Sequence, residues 1–326
     1  MKVRLKLTVL FALLVIPAGF PLIVWAAQTY PSKPIRVIIP FIAGGFSDIV
    51  GRIVGQKMSE SMGQPVVFDN RPGASGIIGT EIVARSQPDG HTLLLSSFNH
   101  VVNPSLMNPP FDPVKDFAAI SLIADGPPLV MLVNPSMPVK NVKELIDLAK
   151  ARPGKLNYGS SGIGTSGHLI GELFNLEAGI NIVHVPYRGS NLFIPAAMSG
   201  EVSMVSTYMP TALPQIRSGK LRAIAVTGSR RSVVVPELPT MVESGVTGVV
   251  VSGFAGLLGP AALPPAIVKR LNQEVVKMCQ SPDFIKRYES YDMTPLASSP
   301  QELVTFTEKE LVKWAKVIKA ANIQLK

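Results

Sequence analysis

The stretch IRVIIPFIAGGFSDIVGRIVGQKM (residues 35–58) decides the reading of the fold. A run of β-branched residues reaches Pro40 and Phe41, opens into Ala43-Gly44-Gly45, and changes at once to helical spacing. Ile49 and Ile53, and Val50, Val54, Met58 and Met62, recur every four residues. This predicts a buried strand over 35–40 and a helix over 48–62 that ends at Gly63. Glycines between a strand and a helix let something approach the backbone closely.

The same order returns along the chain. A strand over 65–68 runs into DNRPGASGIIG and a helix through 82–84, and HTLLLSS (91–97) is a third strand. In the second half KLNYGSSGIGTSGH gives a strand, a Gly/Ser loop and a helix over 168–177. INIVHVPYRGS, EVSMVST and LRAIAVTG supply further strands. Strands alternating with helices predict a mainly parallel sheet. Gly44 and Gly73 lie 29 residues apart, Gly162 and Gly189 lie 27 apart. Two units of matching order and spacing predict two similar lobes.

Residues 122–155 and 246–265 connect these units. Asn141 followed by Glu144 has the pattern of a capping box. Ser299-Pro300 starts the final helix, whose apolar face is Leu303, Phe306, Leu311, Trp314 and Ile318.

The 326 residues, 47% hydrophobic and 16% charged, suffice for about two domains. Lys2, Arg4 and Lys6 precede an apolar run over 7–24 and small residues at Ala26-Ala27. This is the pattern of a cleaved secretory signal peptide over 1–27, with an uncleaved membrane anchor as the rival reading. Its removal leaves 28 basic and 22 acidic residues, a net charge of +6. No basic run stands out, so the field suits small anions better than nucleic acid. The lone Cys279 excludes an internal disulfide and falls in the apolar row Ile267, Leu271, Val275.

Open α/β sheets bind ligands beyond the carboxyl ends of their strands. The glycine loops after Phe41 and at 73–76 lie there, and so do 159–167 and Gly189-Ser190. Backbone N–H groups at helix starts suit an anion, and the hydroxyls of Ser96, Ser97, Ser160, Ser161 and Thr165 add donors. GIGTSG matches a dinucleotide fingerprint, but the acidic residue expected about 20 positions on is missing. There is no nucleophile elbow and no phosphate-loop lysine motif, and His91, His100, His168 and His184 lack metal-ligand spacing. His168 reads equally as a carboxylate partner or a packed helix residue. Asp48 reads as a carboxylate that holds its loop rather than as a base, and Arg71 as structural. Tyr187 and Arg188, at a strand end, are ligand candidates. No nucleophile–base pair assembles a reaction.

YPSKPIRVIIPFIAGGFSD, GQPVVFDNRPGASGIIG, PDGHTLLL, DPVKDFAAISLIA, GKLNYGSSGIGTSGHL, VHVPYRGS and SGKLRAIAVTG occur in this order. Together they resemble the extracytoplasmic solute receptors of tripartite tricarboxylate transporters, the Bug or TctC-like family, over nearly all of the mature chain. The resemblance implies an α/β, two-lobed, Venus-flytrap periplasmic binding protein of type II-like form, each lobe a mainly parallel sheet flanked by helices. Lobe 1 would combine 28–126 with 252–326 and lobe 2 would be 127–251, with crossings near 126–130 and 249–253. It implies a monomer in the periplasm that captures a small organic carboxylate for membrane permease subunits, without catalysis, cofactor, metal or nucleic acid. The carboxylate would be held by Ala43, Gly44 and Gly45 and by Gly73, Ala74, Ser75 and Gly76. Ser160, Ser161, Gly162 and Thr165 would close on the far end, with Tyr187 nearby. Phe41, Asp48, Ser96, Ser97 and His168 complete the candidate set.

The sequence departs from the family at Ser203, Thr207-Tyr208, Phe254 and the bulky Ser97-Phe98-Asn99, all expected around the distal cleft. Where the family often has Asp, Ser203 offers no partner for an amine, which favours a dicarboxylate or aromatic carboxylate over an amino acid. The competing reading is an exported α/β hydrolase or isomerase using Ser161 with His168.

Overall fold

A computed structural model describes residues 30–323; the leader over 1–27 lies outside the described residues. β1 (Ile35–Ile39) is almost wholly buried, as its apolar run requires. It pairs in parallel with β2 (Val66–Asn70) and with β3 (Thr92–Ser96). α1 (Phe46–Met62) follows β1 and stops at Gly63, whose φ of 69° is left-handed. α1 begins two residues earlier than its spacing predicts, directly on Gly45. α2 (Ile77–Ala84) follows β2, and α3 (Asn99–Leu106) follows β3.

The second half holds α4 (Val142–Ala151), β5 (Asn157–Ser160), α5 (Ser166–Ala178), β6 (Val183–Pro186), α6 (Ser190–Ser199) and β7 (Met204–Tyr208). α7 (Met209–Arg217) and β8 (Arg222–Val226) complete it. β5 is parallel to both β6 and β7. α6 and α7 are missing from the sequence reading because Pro195 and Pro214 stand inside them.

Two long strands join the halves. β4 (Phe117–Val133) and β9 (Ser252–Pro260) are antiparallel, which makes the middle of the sheet antiparallel while its flanks are parallel. β9 also pairs with β3, and β4 runs on to pair with β7 and β8. The strand order is β2-β1-β3-β9-β4-β7-β5-β6. The sequence reads the Gly126-Pro127-Pro128 region as a connection, yet β4 passes through it. The prolines fit because the register breaks between Asp125 and Pro128, where β4 changes partners and no ladder N–H is required. Thr227, fully buried, binds both strands' continuations: its hydroxyl donates to the Val251 carbonyl at 2.6 Å, and its N–H to the Leu129 carbonyl at 2.9 Å.

α8 (Pro265–Cys279), α9 (Pro282–Glu289), β10 (Thr294–Pro295) and α10 (Pro300–Ala320) pack back onto the first half, where β10 pairs with β4. Ser299 and Glu302 form the full capping box of α10. At α4 the box is incomplete: Asn141 accepts from the Glu144 N–H, but Glu144 accepts from the Lys140 N–H and the Asn141 side-chain amide rather than from the Asn141 N–H. Cys279 is buried in the large core, as its row predicts. A second, smaller core of Val130, Leu132, Phe193, Val205 and Met209 sits under α6 and α7.

Candidate functional site

A cavity of about 490 Å³ lies between the halves, at the carboxyl ends of β1, β2, β3, β5, β6 and β7. Its construction follows from where the helices start. The N-cap residues of α1, α2, α3, α5, α6 and α7 are Gly45, Gly76, Phe98, Thr165, Gly189 and Tyr208, and all six line it. None of the six supplies a side-chain cap. The first-turn N–H groups of a helix have no partner within the helix, and the dipole puts partial positive charge behind them. Elsewhere Asn141 and Ser299 cap α4 and α10 conventionally.

The loop after β2 is held in an unusual form. Gly73, Ala74, Ser75 and Gly76 have φ of 137°, 44°, 52° and 95° in succession. Left-handed backbone costs a non-glycine residue about 1 kcal/mol, so Ala74 and Ser75 need support. Asn103 Nδ2 donates to the Ser75 carbonyl at 3.0 Å, and Thr80 Oγ1 donates to the Gly76 carbonyl at 2.9 Å. Ser75 Oγ donates across the cleft to the Ile163 carbonyl at 2.5 Å. Asn99 Nδ2 makes a second crossing, to the Gly164 carbonyl at 3.2 Å. The rings of Phe46 and Tyr208 meet 4.2 Å apart across the same gap.

Of the residues expected from sequence, Phe41, Gly45, Gly73, Ala74, Ser75, Gly76, Ser97, Ser161, Gly162, Thr165 and Tyr187 line the cavity. Ala43, Gly44, Asp48, Ser96, Ser160 and His168 do not, and for most of them the reason is a structural bond. Asp48 accepts from the Gly44 N–H at 2.9 Å and pairs with Arg52, so it holds the first loop. Burial works to raise the Asp48 pKa, but the bonds from Arg52, Gly44 and Asn70 outweigh it and leave the carboxyl below its usual range. Ser96 donates to the Gly256 carbonyl in β9. His168 Nδ1 accepts from the Gly164 N–H at 3.2 Å. Ser160 Oγ lies 2.7 Å from His184 Nε2 and 3.1 Å from the Gly162 nitrogen. These groups brace the 160–168 loop from behind. Burial, and then the neighbouring His168, push the His184 pKa down to about 3, so the imidazole is neutral near pH 7.

Tyr187 presents its ring, because its hydroxyl donates to Glu201 at 2.6 Å. Arg71 pairs locally with Asp69, as its structural reading expects. Two of the departures expected at the distal cleft are elsewhere: Ser203 bonds Asn157, and Phe254 packs on Phe306. Thr207, Tyr208 and Ser97-Phe98-Asn99 do line it. Sequence reading missed Phe46, Ser166 and Phe193. The signal available for the first two was their place directly after an N-cap residue. Among the described residues no Asp or Glu lines the cavity, and Arg188 is the one charged residue that does. Among the described residues no group of three or more His, Cys, Asp or Glu is placed to hold a metal ion.

Residues 50–323 match the tripartite tricarboxylate transporter family receptor. Protein BugT of Bordetella pertussis is 36% identical over 304 residues, covering 92% of this chain and 93% of BugT. The solved structure of periplasmic binding protein BugD is 32% identical with a TM-score of 0.87, covering 91% of this chain and 100% of that one. The R. palustris protein Rpa4515, solved with adipate, is 33% identical with a TM-score of 0.87, covering 90% and 99%. The fold is thus that of a two-lobed periplasmic binding protein, and the chain belongs to the tripartite tricarboxylate transporter receptor family, of the Bug type.

Proposed function

We propose that this chain is a periplasmic receptor that captures a small organic carboxylate and delivers it to the permease subunits of a tripartite tricarboxylate-type transporter. One observation carries the reading: six helix starts without side-chain caps line one cavity that, among the described residues, no carboxylate side chain lines. Helix starts without side-chain caps, with the dipoles behind them, suit an anion. The adipate bound to the 33% identical R. palustris protein supports the same class of ligand.

The direct contacts are assigned to the first-half loops at Gly45 and 73–76, facing Ser161, Gly162, Thr165 and Tyr187. Asp48, Ser160 and His168 act behind them. Lobe 1 is 28–126 with 252–326 and lobe 2 is 127–251, and closure bends β4 and β9 where Thr227 ties their continuations. The protein works as a monomer after removal of 1–27. It binds without turnover: the serine closest to an imidazole, Ser160, is fully buried and lies outside the cavity.

Native mass spectrometry of freshly purified protein, followed by calorimetry with the released molecule, tests the reading. A retained carboxylate that rebinds unchanged is the expected result. A retained neutral or cationic molecule, or conversion of the molecule on rebinding, would overturn it.

A further inference from the structure

A second cavity, of about 300 Å³, lies against the two strands that join the halves. Strand alternation fixes its side. Leu129 of β4 lines the cleft, and its neighbour Pro128 lines the second cavity. In β9 an added Cβ at Gly253 would meet the Tyr208 ring of the cleft at 2.4 Å, and its neighbour Ser252 lines the second cavity. Successive residues of a strand face opposite ways, so the two cavities lie in front of and behind the same strands. The first half brings Asp292 and Thr294 to the rear cavity, and the second half brings Ser229, Arg230 and Arg231. Asp292 is short of partners there. Its side chain is wholly buried, Oδ1 accepts from the Val233 N–H at 3.2 Å, and Oδ2 has no hydrogen-bond partner among the described residues. Arg230 Nη1 stands 4.0 Å from Oδ1, at the far limit of an ion pair and beyond hydrogen-bond reach. Arg231 is already held by Glu243 of its own half.

A buried carboxylate oxygen without a partner is costly, and a two-pronged guanidinium bond to it is strong. Because Oδ2 is buried, turning the Arg230 side chain does not complete the pair; the segment that carries it must move. A bend of β4 and β9 supplies that movement. In front of these strands the halves are tied by Ser75 to Ile163 and by Asn99 to Gly164. Opening the front swings the second half toward the first behind the strands, into the rear cavity. We propose that Arg230 and Asp292 form a latch behind the hinge that tightens as the cleft opens and holds the ligand-free protein open. Closing on a ligand loosens the latch, so the pair lowers affinity without touching the ligand. The inference rests on opening about β4 and β9, as proposed above, and not on which molecule the cleft takes.

The test is small-angle X-ray scattering of the ligand-free mature chain, with calorimetry against adipate, for the unaltered protein, R230Q, R230K and R231Q. Arg230 is exposed, so its variants should fold, and circular dichroism checks all three. R230Q should shrink the ligand-free radius of gyration and leave the radius in saturating adipate unchanged. Adipate should bind R230Q about fivefold more tightly than the unaltered protein, with R230K between the two. R231Q removes the same charge from the same cavity without touching a pair between the halves, and should leave radius and affinity as they are. An unchanged ligand-free radius in folded R230Q, an equal contraction in R231Q, or adipate binding to R230Q that is no tighter overturns the latch. If adipate binds none of the four proteins, that counts against the carboxylate reading, and the ligand-free radius alone decides the latch.

Discussion

Ser75 and Ile163, 88 residues apart in sequence, are joined by a hydrogen bond of 2.5 Å from the serine hydroxyl to the isoleucine carbonyl. The bond reaches from the strained loop after β2 to the loop after β5, so it ties the two halves across the cavity. It links the geometry of one anion loop to the position of the other. Ser75→Ala removes it and leaves a carbonyl that water can reach when the cleft opens. The variant should weaken ligand affinity by roughly 1 kcal/mol, about fivefold. It should also enlarge the ligand-free radius of gyration in small-angle X-ray scattering. Unchanged affinity and radius would show that the bond contributes nothing to closure.

Gly51 and Gly55 of α1 receive the ring of Phe68 from β2. A Cβ at Gly55 would lie 2.1 Å from the ring, so Gly55→Ala forces the helix away from the sheet. Alanine is the better helix former by about 1 kcal/mol, but overpacking a core contact costs roughly 1–3 kcal/mol. The net expectation is destabilisation, read as a lower urea midpoint at unchanged slope. A higher midpoint would mean that propensity decides this site.

The pattern behind these contacts was only partly visible in sequence. β1 and α1 announced themselves through an apolar run and a step of four, because both are periodic and unbroken. The helix starts that line the cavity announced themselves through Gly44-Gly45, 73–76, 162–167 and Gly189. Phe193 did not, because its helix carries Pro195 and breaks the helical pattern. Asp48, Ser96, Ser160 and His168 looked like cleft residues for a related reason: sequence places a residue at a strand end but does not say which face of the loop it supports. The strand that runs through the crossing was not legible, since a Gly-Pro-Pro segment reads as a linker when the change of sheet partner cannot be seen.

His184 stacks on Tyr158, lies beside His168 and bonds Ser160, with its pKa pushed down to about 3 by burial and then by His168. An imidazole in the unfolded chain titrates near about 6.5. The unfolded state therefore takes up a proton that the native state refuses. The stability this group contributes is complete above pH about 6.5 and is lost progressively as pH falls through that value toward about 3. His184→Gln keeps an acceptor or donor for Ser160 but does not titrate. The melting temperature of H184Q should fall less between pH 7 and pH 5 than that of the unaltered protein. His100, lowered to about 4 by burial, supplies part of the remaining slope in both. Parallel melting curves across this range would remove His184 from the account.

Trp314 lies 4.7 Å from the ring of Phe98 in an edge-on arrangement, and Phe98 forms part of the cavity wall. The indole is buried and its Nε1 donates to Glu310 at 2.9 Å, so its environment is fixed on the far side. The sequence has two tryptophans, Trp25 and Trp314, and only Trp314 remains once 1–27 is removed. A ligand that seats against Phe98 replaces water on one side of that ring, and the close-packed interior puts Trp314 directly on its other side. Intrinsic fluorescence should therefore change saturably on titration, with a midpoint equal to the calorimetric Kd. Phe98→Leu keeps most of the volume but removes the aromatic edge. It should reduce the fluorescence change strongly while weakening binding by less than about 1.5 kcal/mol. Saturable heat without any change in emission would place the bound ligand away from the Phe98 wall, toward the α6 side of the cavity.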